Sequence, residues 1–245
     1  MIDTRPLRVL HLVGIDDSGH VRIIHLSPDP RRLRYDCLGN VELTALLDGA
    51  GFEVVTLTCG DVPGDRVNVA SVDVVLNAIC DPDTNARSLR VAAGLVEQVG
   101  VPVVNDPRSV AGTTRDAVAA ALAGVDGAVV PATVRVRPAR AADVAPLAAA
   151  HGVEPPFLAR EVGSHGGRDL TLVRDEADLA QLERFAFDGR QLYVTAFVDV
   201  RSADGLYRKR RVIAIDGQPF AKHLIVSPDW NVHAGSRPFM EGRPE

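Results

Sequence analysis

Short apolar runs rich in Val, Leu and Ile recur at Arg8 to Val13, Phe52 to Thr58, Val72 to Ile79 and Val101 to Asn105. Their length and branched side chains predict strands of a buried parallel sheet. Between them, apolar positions return at helical spacing over Val41 to Ala50 and Asn85 to Val99; the second has Asp83 and Thr84 as candidate N-caps and Gly100 as its stop. This alternation predicts an α/β fold in which an open parallel layer, residues 1–106, carries its ligand loops at the carboxyl ends of the strands.

After Asp106 the pattern changes. An alanine-rich helical stretch, Asp116 to Ala123, leads through Pro131 and Ala132 to a strand from Thr133 to Val136. A helix near Ala141 to Ala150, a strand Phe157 to Val162, a glycine-rich turn, a strand Leu170 to Val173 and a helix Glu176 to Phe185 follow. Three β-type runs come last: Gln191 to Val200, Tyr207 to Ile215 and Pro219 to Val226. Asp216 and Gly217 between the last two suit a tight type I′ hairpin, whose central residues both need positive φ. The second domain, 107–245, is therefore expected to be α+β and antiparallel.

Composition narrows the function. At 245 residues the chain is long enough for two modest domains, each with its own core. A formal net charge of -5 gives no general electrostatic reason to sit on a phosphodiester backbone, so nucleic acid is not an expected partner. No stretch approaches the ~18 uninterrupted apolar residues of a membrane span, and Met1-Ile2-Asp3 does not open a secretory signal. Three widely spaced cysteines, Cys37, Cys59 and Cys80, suit reduced thiols, and the cytoplasm is the expected location. None of the three has the adjacent histidine of an activated nucleophile. GxxxxGK[ST] and GxSxG are absent, and the first βα turn, Gly14 to Gly19, lacks GxGxxG.

The candidate chemistry lies in the second half. After a strand, Gly163, Ser164, His165, Gly166, Gly167 and Arg168 form a turn whose N–H groups can approach phosphates, with Arg168 adding charge-assisted bonds. Taken alone, such a turn also reads as a plain strand connection. Alternation along Arg208 to Arg211 puts Lys209 and Arg211 on one face and Arg208 and Arg210 on the other, and would separate Lys222 from His223. A basic strand is also what a solvated face looks like. His165, His223 and His233 have no compact ligand spacing, so no metal is assigned to them. Asp81-Pro82-Asp83 reads as an acidic helix start, and Trp230 and Phe239 as packing residues.

Several of these pieces stand in a recognisable order: Asn105-Asp106-Pro107, Thr114-Arg115-Asp116, Val130 to Thr133, Pro156 to Arg160, Gly163 to Arg168, and Phe197-Val198-Asp199. The stretch Asp199 to His233 continues it with Asp204, Gly205, Tyr207 to Lys209, Arg211, Asp216, Gly217, His223, Ser227 and Trp230. The series resembles the ATP-grasp superfamily of the glutathione-synthetase-like kind, notably bacterial ATP-grasp proteins sometimes fused to tetratricopeptide repeats. The resemblance implies a pre-ATP-grasp layer followed by an incomplete α+β ATP-grasp domain, with ATP as the cofactor. It implies nucleotide contacts from Arg115, Arg160, Gly163, Ser164, His165, Gly166, Gly167 and Arg168, with adenine against the strand at Ala196, Phe197, Val198 and Asp199. Where the family usually has lysine, Arg160 keeps the charge but exchanges a compact ammonium for a planar fork. Lys209, Arg211 and Lys222 would neutralise the triphosphate and an acyl phosphate.

The activity implied is that of a carboxylate-amine or carboxylate-thiol ligase acting on small molecules. Such ligases normally end in an acidic strand and a Glu-x-Asn set that bind two magnesium ions. Here Asp229, Glu241 and Glu245 are the carboxylates after Val226, and their setting does not match, so magnesium is expected with ATP while its protein ligands are not found. A completing chain, a homo-oligomer, a truncated ligase, or a nucleotide-binding or partner-binding module without catalysis are the readings this leaves.

Overall fold

The computed structural model describes residues 5–19, 22–25, 33–43, 47, 51–60, 71–167 and 169–242. The chain divides into two compact units, Met1–Val118 and Ala119–Glu245.

The first unit contains β1 (Leu7–Gly14), β2 (Arg22–His25), β3 (Leu33–Asp36), β4 (Phe52–Cys59), β5 (Val74–Asn77), α1 (Ala86–Val99), β6 (Val103–Val104) and α2 (Pro107–Ala111); α3 (Arg115–Leu122) runs across the division. Four strands form a parallel sheet in the order β4-β1-β5-β6. Leu10, Leu12 and Val75 pack against Leu89, Ala92 and Val96 of α1, which is why the apolar spacing of that helix was readable. β2 and β3 make a separate antiparallel hairpin that the sequence pattern did not announce. The helix expected over 41–50 lies mostly outside the described residues.

Gly100 closes α1 in the left-handed conformation, φ 66°, with its N–H on Val96 O. At the other end the expected caps are replaced. Asn85 occupies the N-cap without a side-chain cap bond, and the Asp17 carboxylate accepts from the N–H groups of Ala86 and Arg87 at 3.1 and 3.0 Å. A carboxylate at a helix N-terminus satisfies two orphan donors and favours the dipole, so a loop residue has taken the role expected of Asp83 or Thr84.

Beneath this cap lies a buried polar junction. Asn40 uses both ends of its amide on Gly14, accepting from N at 2.7 Å and donating to O at 2.8 Å, as a neighbouring strand would. Ser88 donates within reach of Ile15 O and Cys59 O. Asn85, fully buried, donates to Leu38 O and accepts from the Thr84 hydroxyl.

The second unit contains β7 (Thr133–Val136), α4 (Val144–Ala149), β8 (Phe157–Glu161), β9 (Thr171–Val173), β10 (Leu192–Ala196), β11 (Tyr207–Ile215) and β12 (Gln218–Ser227). Strands β7-β10-β8-β9 form an antiparallel sheet. Phe157, Ala159, Leu192 and Val194 turn one face of it toward Val144, Ala148, Leu182 and Phe185. The helix expected from Glu176 to Phe185 is 3₁₀ from Glu176 to Arg184. Asp175 accepts from the N–H groups of Ala177 and Asp178, and Asp178 from that of Arg174, so aspartates compete with α-helical bonding for the backbone. β11 and β12 form a separate two-stranded ribbon, joined at Asp216 and Gly217 with φ 49° and 73°.

Two outcomes follow from the first unit. Gly39 has φ +80°, and a Cβ there would stand 1.7 Å from Asn85 Oδ1, a pinned atom. Gly39→Ala is expected to cost roughly 2 kcal/mol or more in urea unfolding, combining strained φ with a broken buried junction. His11 is 4% exposed, with Nδ1 3.3 Å from the Thr56 hydroxyl and no partner at Nε2. Burial holds its pKa below 6.5, against an opposing pull from Glu42. The unfolded chain therefore binds the proton first as pH falls, and folding stability should decline from ~6.5 downward toward the folded pKa. Denaturant midpoints at about pH 7.5 and about pH 5.5 check this, and His11→Leu should remove that part of the difference.

Candidate functional site

Two-residue alternation decides which side chains face the core and which the opposite side of the antiparallel sheet. Phe157, Ala159 and Glu161 alternate with Leu158 and Arg160, and Leu192, Val194 and Ala196 with Tyr193 and Thr195. Leu158, Arg160 and Thr195 form the floor of a cavity of about 500 Å³. Beside that floor, Arg135 lies 4.9 Å over the Tyr193 ring and donates to its hydroxyl at 2.5 Å.

Three of the walls come from separate segments of the chain. Gly167 and Leu170 belong to the connection between β8 and β9; Ala196, Phe197, Val198 and Val200 to the end of β10 and the segment after it; Trp230, Asn231 and Val232 to the segment after β12. Trp230 meets Phe197 edge to face, with centroids 6.2 Å apart and planes at 87°, so it lines the cavity as well as packing. Tyr207, Arg208, Lys209 and Arg210 close the fourth side. Four consecutive strand residues border one space only when the edge of the ribbon forms the wall.

The glycine turn is held from two sides. Gly163, Gly166 and Gly167 have φ 80°, 74° and 75°, which glycine adopts without a steric penalty. Arg160 donates to the Ser164 hydroxyl at 3.0 Å and also to the Ser164 carbonyl, while Asn231 donates to Gly167 O at 3.0 Å. Ser164 in turn donates to Glu161 O at 2.7 Å.

The electrostatics are one-sided. Arg160, Arg208, Lys209 and Arg210 border the cavity, and among the described lining residues there is no carboxylate. Arg208 is held by Asp204 at 2.6 Å, and its hydrogen bond keeps the Asp204 carboxyl down at about 2. Lys209 donates to Val232 O at 3.3 Å. Asp199 accepts from the Arg201 N–H and guanidinium, which lowers its pKa, and it is not among the lining residues. Burial pushes the Cys59 thiol up to about 11 and raises that of Cys80, the opposite of an activated nucleophile.

Of the residues singled out from the sequence, Arg160, Gly167, Ala196, Phe197, Val198 and Lys209 line this cavity. Gly163, Ser164, His165 and Gly166 lie in the turn beside it, Arg211 and Lys222 farther along the ribbon, and Arg115 in the first unit; Arg168 lies outside the described residues. The amides of Ala196 and Phe197 are already committed to Ala132 O and Pro156 O, at 2.8 and 2.9 Å. Leu158 and Thr195 were within reach of the alternation argument. Asn231 was not, because its bond to Gly167 spans 64 residues.

No protein-family model matches the chain, and no curated protein matches it in sequence. Solved structures do match. The chain is similar to D-alanyl-alanine synthetase A of Vibrio cholerae, with TM-score 0.52 and 12% identity over 99% of this chain and 73% of that one. It is similar to N5-carboxyaminoimidazole synthetase of Staphylococcus aureus, solved with ADP, with TM-score 0.52 and 12% identity over 93% of this chain and 56% of that one. A third is carboxyaminoimidazole ribonucleotide synthase of Aspergillus clavatus, solved with ATP, with TM-score 0.50 and 12% identity over 92% and 55%. The chain has the ATP-grasp fold, and it spans a little over half the length of the last two proteins.

Two positive-φ glycines of the turn make separable predictions. At Gly166 a Cβ meets open space, whereas at Gly167 it would lie 2.7 Å from Asn231 Oδ1 and 3.3 Å from His233 Cβ. In urea unfolding, Gly166→Ala should cost about 1 kcal/mol for its positive φ alone. Gly167→Ala should cost roughly 1 to 2 kcal/mol beyond that, since Asn231 must move and its bond is lost.

Proposed function

We propose that the second unit binds ATP and descends from a ligase that joins a small carboxylate to an amine or thiol through an acyl phosphate. The observation that carries this reading is one cavity lined both by apolar side chains, Leu158, Leu170, Val198 and Trp230, and by cationic ones, Arg160, Lys209 and Arg210. A purine ring suits the first and a phosphate chain the second. The fold shared with proteins solved with ADP and ATP supports it.

Adenine would lie against the segment from Phe197 to Val200, where the Val198 N–H has no partner among the described residues. In the ligase reaction a carboxylate oxygen attacks the terminal phosphorus and ADP leaves. The amine nitrogen or thiol sulfur then attacks the acyl carbon, and phosphate departs. The cations on the ribbon would oppose the charge that gathers on the transferring oxygens. Among the described residues no three His, Cys, Asp or Glu side chains gather as a metal site.

Trp230 is the chain's sole tryptophan and lines the cavity, so its fluorescence is a direct reporter. Titration with ATP or ADP should change that emission, and Arg210→Gln should weaken ATP roughly 10-fold, the effect of one lost charge-assisted contact, while leaving adenosine unchanged. No emission change and no heat of binding with either nucleotide would sink the reading. ADP release that depends on both a carboxylate and an amine or thiol identifies the ligase; ATP binding without release identifies a binding module.

A further inference from the structure

The segment after β12 borders a second cavity, of about 430 Å³, whose lining includes Asp229, Trp230, Asn231, His233, Ser236 and Phe239. Trp230 and Asn231 line the first cavity as well, so the two share a wall. Hydrogen bonds fix this segment. The Asp229 N–H donates to the buried Ser227 hydroxyl at 3.0 Å, the Val232 N–H to Trp230 O at 3.0 Å, and the His233 N–H to the Ser236 hydroxyl at 3.3 Å. Phe239 arrives on the 3₁₀ segment Ala234–Met240, tied to β12 where the Val226 N–H donates to Met240 Sδ at 3.3 Å. Walls held in this way need little ordering when a ligand arrives.

Its charge is opposite to that of the first cavity. The lining holds the Asp229 carboxylate and no lysine or arginine, whereas the first holds four cations and no carboxylate among the described residues. Among the described residues the Asp229 side chain has no ion-pair or hydrogen-bond partner. Asp199 and Asp204 of the same unit, by contrast, meet Arg201 and Arg208 at 2.8 and 2.6 Å. His233 accepts from the Gly235 N–H through Nδ1 at 3.0 Å, and a ring so held carries its proton on Nε2 and offers a donor. One carboxylate and one such imidazole fall short of a metal site, and no three His, Cys, Asp or Glu gather among the described residues. The cation that suits this lining is organic. An ammonium is attracted both by a carboxylate and by aromatic ring faces, and Trp230 and Phe239 supply the rings.

We infer that the second cavity is a site for the primary ammonium group of a small molecule, held by Asp229 against Trp230 and Phe239. Binding there stands on the lining alone. That this molecule is the acceptor in the ligase reaction rests on the nucleotide reading above, and it selects an amine over a thiol, because a neutral thiol gains nothing from Asp229. The nitrogen sheds one proton to solvent before attack. It then forms the C–N bond as phosphate leaves with the C–O electron pair, and sheds a second proton afterwards.

The test is calorimetry and Trp230 emission on the whole chain at about pH 7.5, where n-butylamine is protonated and 1-butanol and 1-butanethiol are its neutral counterparts. The amine should bind roughly 10-fold more tightly than either counterpart, and added salt should weaken the amine alone. Asp229→Asn should abolish that preference and keep the wild-type melting temperature, since the side chain it changes holds no partner. Where ADP release depends on an amine, the same variant should raise the KM for that amine roughly 10-fold and leave the KM for ATP unchanged. Amine binding that needs Asp229, in a chain that takes no ATP, would support the site while removing its role as acceptor. A chain that binds ATP but shows no preference for the amine, or the same preference in Asp229→Asn, would overturn the site and leave the nucleotide reading standing.

Discussion

The strict alternation of side chains along β8 and β10 is the constraint on which the second unit depends. Moving β8 by one residue would put Arg160 into the core and turn Phe157 out to the cavity floor, and moving β10 would do the same with Tyr193 and Val194. Burying a guanidinium without a counter-charge costs several kcal/mol. The apolar contacts that hold the sheet thus also fix which residues reach the cavity. Core and site are two readouts of one register, set by the pairs Tyr193 with Arg160 and Val194 with Ala159.

Much of this was legible in the residues because the signals were local. β11 runs from Tyr207 to Ile215 as expected, and β12 extends the expected strand by one residue at each end. Both are bounded by Asp216 and Gly217, whose positive φ values are what a tight hairpin needs. β1 and β5 were readable for the same reason, since a strand buried on both faces has little choice but Val, Leu and Ile, whereas β4, expected to be buried, is the sheet's edge strand with Phe52 to Thr56 exposed.

What was not legible depends on contacts distant in sequence or on events with no residue signature. Asp17 caps a helix some 69 residues away, and nothing in its neighbourhood distinguishes it from any loop aspartate. The register shift between β11 and β12 that leaves Lys222 without a ladder partner has no mark in composition. Consecutive residues Tyr207 to Arg210 border the cavity because the ribbon presents its edge. Alternation therefore does not separate the lining residues here: Lys209 lines the cavity together with Arg208 and Arg210 of the other face, and Arg211 does not.

The hydrogen bond from Asn231 to Gly167 O ties the turn between β8 and β9 to the segment after β12. Two walls of the cavity are thus joined there, and Arg160 holds Ser164 in the same turn. The lining also includes Val129 and Val200, 77% and 64% exposed. A guest whose apolar part covers these two side chains takes them out of water, so it gains most by turning that part toward them.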